Sequence, residues 1–353
     1  MKKSNKPQKI VVGASGGVDS TIVLTLLKAQ GWDPIAVHFE LPPWQGKINS
    51  ASFNELKKTC QKLNIPLKKL TLTENFKSLV VKYFLDELKN GRTPNPCVFC
   101  NRHFKFAELF KFAKINKIKY VATGHYAKIK RNPLTKKFEL CRAKDQDKDQ
   151  TYYLSSLKNS WLKNIIFPLG DLTKTEVYQL AKEQGLKFLL TKPQSQDFCY
   201  LQNSSLTDFL AQEIKAKPGD IVDTNNLVLG KHPGLFNYTL GQRKGLNLPG
   251  GPWFVIRKNE KLNQLVISKN EQDTFSKLAN LKNLNFVSGQ VLTTPTKVMA
   301  KVRYRQDLIP AVIKPLSKTK AQIIFKNPVR SITSGQFCVF YQKDKCVGQG
   351  VIE

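Results

Sequence analysis

Through the first half of the chain, short apolar runs alternate with stretches whose apolar residues recur every three to four positions. "KIVVGA" reads as a buried strand, residues 21–30 as a helix stopped at Gly31, and "PIAVHFE" as a second strand. Residues 50–63 read as another helix, "PLKKLTL" as a third strand and, after further helices, "KYVATGH" as a fourth. Strands alternating with helices predict a parallel sheet covered on both faces, a doubly wound α/β domain. Thr173 and Glu176 form a capping box ahead of "KTEVYQLAKEQG", and Gly185 supplies the stop, so helical structure extends past residue 170.

Beyond residue 205 the pattern changes to short β runs. "PGDIVDTNNLVLG" predicts a hairpin turning at 224–226, and "LPGGPWFVIRKNEKLNQLVISKN" predicts another. From about 283, "KVMAKVRYR", "PAVIKPL", "KAQIIF", "QFCVFYQ" and "KCVGQGVIE" recur at the spacing of a small closed β-barrel. The expected organisation is a catalytic α/β domain over 1–204, a small central β-rich domain over 205–282 and a C-terminal β-barrel over 283–353.

Composition changes this picture in one respect. The 57 Lys and Arg against 26 Asp and Glu give a formal net charge of +31, which points to a polyanionic partner, nucleic acid before an anionic membrane surface. No window approaches the ~18 uninterrupted apolar residues of a membrane span. The start "MKKSNKPQKIVVGA" lacks the apolar core of a signal peptide, so a cytoplasmic, membrane-free protein is expected. Seven cysteines do not suggest a secreted disulfide framework and leave catalysis or metal binding as the chemistry to consider.

"VVGASGGVDST" follows the first strand and enters the first helix, where α/β proteins bind phosphates on exposed amides and a helix N-terminus. It is neither a Walker A loop nor G-x-G-x-x-G. The string S-G-G-x-D-S, carried by Ser15, Gly16, Gly17, Asp19 and Ser20, resembles the PP-loop ATP pyrophosphatases. That resemblance implies enzymes that adenylate a substrate oxygen and release pyrophosphate, with Asp19 holding Mg²⁺ beside the ATP phosphates.

Further strings narrow the resemblance: "GRTPNPCVFCNRHFKF", "ATGHYAK", "KDQTYYL", "SQDFCYL", "YTLGQRKGL", "VRYRQ" and "SGQFCVFY". From about residue 10 to residue 353 the chain is similar to the bacterial tRNA-specific 2-thiouridylases, tRNA-uridine 2-sulfurtransferases. The resemblance implies ATP-dependent adenylation of O2 of the wobble uridine, position 34, then attack by a persulfide sulfur to give 2-thiouridine, AMP and pyrophosphate. It places the persulfide on Cys199 and makes Cys100 its partner, the two meeting in a transient disulfide. It also implies an ATP site at Gly13, Ala14, Ser15, Gly16, Gly17, Val18, Asp19, Ser20, Phe39 and Gly124. Asn95, Pro96 and Cys97 face the target base with His125 nearby, and Lys148, Asp149, Gln150, Arg303, Tyr304 and Gln336 touch tRNA.

Reading Asn101 as the cap of a helix "NRHFKFAELFKFAK" places Cys100 at a helix N-terminus beside Arg102 and His103, which predicts a thiol pKa below the free value of ~8.5. Cys60, Cys141, Cys338 and Cys346 read as structural. Cys97 departs from the family, where many members carry an aspartate. It is either a bystander or second sulfur handler, or, with Cys100 and Cys199, a ligand of a [4Fe–4S] cluster that delivers sulfide. Two other readings stand beside thiolation: a PP-loop amidating ligase, which needs no essential thiol, and an RNA-binding protein whose nucleotide loop is inactive. The implied partners are tRNA and a sulfur donor, a cysteine desulfurase or a sulfur relay protein, with the enzyme acting as a monomer.

Overall fold

The computed structural model describes residues 7–41, 44, 50–190, 198–201 and 204–353; part of the "SQDFCYL" string, residues 195–197, lies outside them. The first strands are β1 (Lys9–Gly13), β2 (Asp33–Glu40), β3 (Leu67–Thr71) and β4 (Tyr120–Thr123). After a hairpin of β5 (Lys128–Arg131) and β6 (Phe138–Cys141) comes the short β7 (Ile165–Ile166). The parallel sheet runs in the order β3-β2-β1-β4-β7, with β1 paired to both β2 and β4.

Strand alternation divides the core into two layers. Val11, Val37 and Val121 pack with Phe106, Leu109 and Ala113 on one face, and Ile10, Val12, Ala36 and Ala122 pack with Ile22, Val23 and Val177 on the other. Each fully buried aliphatic side chain contributes about 1.5–3 kcal/mol, so these strands are fixed in register by both faces at once. Their C-terminal ends, with the loop 14–17, meet the helix Val18–Ala29.

The central part joins two hairpins, β8 (Gly219–Val222) with β9 (Val228–His232), and β10 (Phe254–Asn259) with β11 (Gln264–Ser268). They fuse into one sheet through a parallel β8–β11 pairing, which local sequence did not reveal. Asn226 at φ +63 makes the predicted turn.

Strands β12 (Phe275–Asn285), β13 (Thr296–Lys301), β14 (Ile309–Pro315), β15 (Ala321–Arg330), β16 (Phe337–Gln342) and β17 (Lys345–Ile352) follow. They close as a six-stranded barrel because β12 pairs with both β15 and β17. β17 also accepts β6, so the hairpin from the first half of the chain extends the barrel's sheet. Two further contacts lock the units. Thr93 N donates to Ser334 O at 2.9 Å, and Arg102 Nη1 donates to Asn285 Oδ1 at 2.8 Å.

Candidate active site

At the end of β1 the chain turns through the glycine loop. Gly16 sits at φ +84, and a Cβ there would lie 2.5 Å from Ser52 O, so the position requires glycine. Ser20 Oγ accepts from Ser15 N at 3.2 Å and donates to Gly17 O at 3.1 Å, tying the loop to the first helical turn. From the β4 end, Gly124 presses on the same turn: a Cβ would stand 2.9 Å from Ser20 N and 3.0 Å from Asp19 C. The helix starting at Val18 has no side-chain cap, which leaves its amides to an anion.

Asp19 is held by two residues that sequence reading passed over. Lys174 Nζ lies 2.6 and 2.8 Å from its two carboxylate oxygens, and Tyr126 Oη donates to Oδ1 at 2.8 Å. Tyr126 stood within the quoted "ATGHYAK", and Lys174 within the capping-box string, but nothing local connects either to residue 19. Burial and the neighbouring Asp19 both push the Tyr126 hydroxyl far above its ordinary pKa, so it remains a donor. The side chain of Asp19 is 33% exposed, and a single carboxylate of this kind suits Mg²⁺, which takes one or two carboxylates plus substrate phosphates.

Phe39, assigned to the ATP site, turns its ring to Phe104 at 5.7 Å between centroids. On the opposite face of β2, His38 Nδ1 contacts Ala14 O at 2.9 Å, in the glycine loop itself. Burial lowers the pKa of His38.

The cysteine region differs from expectation. The helix begins at Pro96, not Asn101: Asn95 is the N-cap, its side chain accepting from Val98 N at 3.2 Å. Asn101 is buried inside the helix and donates to Tyr153 O at 3.1 Å. Cys97 therefore occupies the first turn, while Cys100 lies a turn deeper, against the aromatic cluster of Phe76, Phe84, Phe104 and Tyr200. Arg102 reaches away to Ser156 O and Asn285, and His103 stacks on Phe99 at 4.3 Å, so neither cation serves the thiol as proposed from sequence.

Burial pushes the Cys100 thiol up to about 12 rather than down. The Lys105 ammonium and its backbone amide oppose that rise, and Cys199 lies near enough to add to it. Cys199 is exposed, yet its thiol is also raised by desolvation, again against Lys105. The common partner lies at the end of a π-helical turn, Asn101–Lys105, whose i to i+5 repeat aligns residues 100 and 105. Neither the turn nor Lys105 was legible in sequence. Cys60, Cys141, Cys338 and Cys346 are buried, as expected of structural thiols.

A cleft of about 420 Å³ opens where all three parts of the chain meet. Asn95, Pro96 and Cys97 line it from the catalytic part, and Arg303, Tyr304 and Gln336 from the barrel. Phe198, next to Cys199, completes one wall. Gln336 Nε2 donates to Thr93 O at 2.8 Å, and Tyr304 packs on Tyr153 at 4.3 Å. Arg303 is held by Ser331 O at 3.0 Å and Thr333 Oγ1 at 3.1 Å.

His125, Asp149 and Gln150 lie elsewhere. His125 is buried against Thr123 Oγ1 at 2.7 Å, with its pKa driven well below the ordinary value by burial and then Lys105. Asp149 is buried, accepts from Ala143 N and Thr151 Oγ1, and has its pKa raised by desolvation. Gln150 Oε1 accepts from Tyr126 N at 3.0 Å. Lys148, next in the segment, donates its amide to Asp145 Oδ1 at 3.2 Å. Among the described residues no three His, Cys, Asp or Glu side chains are grouped to hold a metal ion, so Cys97, Cys100 and Cys199 do not form a cluster-ligand set here. No described helix is long and apolar enough to cross a membrane.

Comparison with known proteins agrees with this architecture. Residues 8–203 match a model described as the tRNA methyl transferase HUP domain, 207–269 the corresponding PRC-barrel domain and 276–352 an aminomethyltransferase β-barrel domain. A protein of Clostridioides difficile (strain 630) named tRNA-specific 2-thiouridylase MnmA is 39% identical over 98% of both chains. One of the same name from Clostridium perfringens (strain 13 / Type A) is 40% identical over 98% of both. A solved U34-tRNA thiolase from Methanococcus maripaludis with its [4Fe–4S] cluster overlaps weakly, at 21% identity and a TM-score of 0.36 over 60% of this chain and 69% of that one.

Proposed function

The chain belongs to the tRNA-specific 2-thiouridylase family, a group of tRNA-thiolating PP-loop ATP pyrophosphatases, and from that membership we propose how its residues divide the reaction. ATP lies with its triphosphate against the amides of the glycine loop. Asp19 would hold Mg²⁺, which would supply charge neutralisation to the phosphates. O2 of the wobble uridine attacks the α-phosphorus, pyrophosphate leaves, and C2 becomes susceptible because AMP is now its leaving group. The base reaches this site flipped out of the anticodon loop, through the cleft lined by Asn95, Cys97, Tyr304 and Gln336.

Sulfur arrives as a persulfide on Cys199, loaded by a cysteine desulfurase or a relay protein. Its terminal sulfur bonds to C2 and AMP departs. The Cys100 sulfur then attacks the Cys199 sulfur and its thiol proton passes to the nucleoside as the S–S bond breaks toward it, giving 2-thiouridine and a Cys100–Cys199 disulfide for a reductant to open. Exposure of Cys199 suits loading by a donor protein, and the half-buried, aromatic surroundings of Cys100 suit a thiol that reacts with its neighbour. The cluster route has no support in the placement of the three thiols, and no step is assigned to it. Cys97, at the cleft wall, is assigned to base contact.

The observation that carries this reading is the meeting, at one cleft, of the Cys97 helix start, the Cys199 neighbour Phe198 and the barrel's Arg303 and Gln336. Nucleoside mass spectrometry of unmodified tRNA, incubated with Mg–ATP and a persulfide donor, tests it. Cys199→Ser and Cys100→Ser are each expected to lower 2-thiouridine by more than about a thousandfold while pyrophosphate release continues, and Cys97→Ser to keep most activity. Undiminished thiolation by Cys199→Ser would overturn the sulfur assignment.

A further inference from the structure

A phosphate-binding loop needs positive charge as well as amides, and P-loop enzymes carry a lysine within the loop for that purpose. Residues 13–20 here contain no basic side chain. The cation comes instead from far along the sequence. Lys174 opens the helix Lys174–Glu183, where Thr173 and Glu176 complete a capping box and the Lys174 amide donates to Asp145 Oδ2 at 2.9 Å. Glu176 is itself paired to Lys144 at 2.7 Å. The backbone of Lys174 is thus clamped from several directions, while its four-carbon stem is free to redirect the ammonium.

That side chain is only 11% exposed and runs between the rings of Tyr126 and Tyr178, its Nζ 5.8 and 4.8 Å from their centroids. A cation so buried needs a partner, and the partner it has is Asp19. Asp19 is also the carboxylate that suits Mg²⁺. The two cations cannot both have it on equal terms.

We propose that Lys174 is the phosphate cation of this site: it holds Asp19 in place before the nucleotide binds and turns to the pyrophosphate of ATP when Asp19 takes Mg²⁺. This rests on the glycine loop being the ATP site. In the adenylation step the bond from uridine O2 to the α-phosphorus forms, and the bond from the α-phosphorus to the bridging oxygen breaks. The electron pair goes to that oxygen, and Lys174 donates a hydrogen bond to the departing pyrophosphate without giving up its proton. No oxidation or reduction is involved.

The test uses the full chain, unmodified tRNA and saturating Mg–ATP. Lys174→Met is expected to lower kcat for pyrophosphate release about 100-fold with tRNA affinity unchanged, and Lys174→Arg to recover about tenfold of that loss. A purely structural ion pair predicts a lower Tm but a kcat within about threefold of wild type, which would overturn the proposal. A readout independent of turnover uses the wild-type protein: acylation of the Lys174 amine by an amine-specific reagent, followed by mass spectrometry. Mg–ATP is expected to suppress labelling, and labelling unchanged at saturating nucleotide would reject the assignment even if Lys174→Met does not fold. If wild-type protein neither binds Mg–ATP nor releases pyrophosphate, the ATP reading fails and this proposal with it.

Discussion

The two ends of the active region solve opposite problems. The glycine loop is polar and charge-paired, with Asp19 satisfied by Lys174 and Tyr126 and its backbone fixed by close glycine contacts. The surroundings of Cys100 are aromatic, and its half-buried thiol is held in the neutral form by desolvation. An adenylating site gains from fixed dipoles and charges where phosphate charge moves. A thiol kept protonated among aromatic rings stays unreactive toward electrophiles from solvent.

The largest expected effect sharpens that contrast. With a pKa near 12, Cys100 is almost wholly thiol at pH 8, so its alkylation by iodoacetamide is expected to be about a thousandfold slower than that of a free cysteine. Because the folded pKa is raised, the rate should climb about tenfold per pH unit across pH 7–10 without levelling. A plateau near pH 8.5, followed by peptide mass spectrometry, would break the comparison. Next in size, Gly124→Ala forces a Cβ onto the backbone of Asp19 and Ser20 and is expected to slow pyrophosphate release about 100-fold while leaving Cys100 alkylation unchanged. The smallest is Tyr304→Ala, which removes the ring packed at a tilt against Tyr153; tRNA binding by filter assay should weaken about tenfold, with adenylation of bound tRNA little altered.

The same contrast explains what could be read from sequence. The loop was legible because β1, Gly16 and Asp19 are adjacent in the chain and their geometry is dictated locally. The strand runs and the Thr173–Glu176 box were legible for the same reason. The cleft was not, since Asn95 meets Gln336 only once the barrel has closed. The misplaced cap had a simple cause: Asn95 and Asn101 are both good caps by type, and it is Pro96 at the first helical position that favours Asn95. With the helix starting there, Cys100 moves from a position at the helix N-terminus into apolar packing, and the sign of its pKa shift reverses. Lys105 and Lys174 escaped because a lysine's partner is set by tertiary contact.

The pairing of β17 with β6 has a consequence for how the protein is made. Residues 128–141 leave the ribosome long before 345–352, so the nascent chain displays an unpaired hairpin edge until the last barrel strand emerges. Such distant pairing is slow to form and exposes the chain to association with its neighbours during synthesis. Completion of the barrel therefore acts as an assembly checkpoint: a truncated or stalled chain can possess the glycine loop without ever acquiring the cleft that Arg303 and Gln336 help to line.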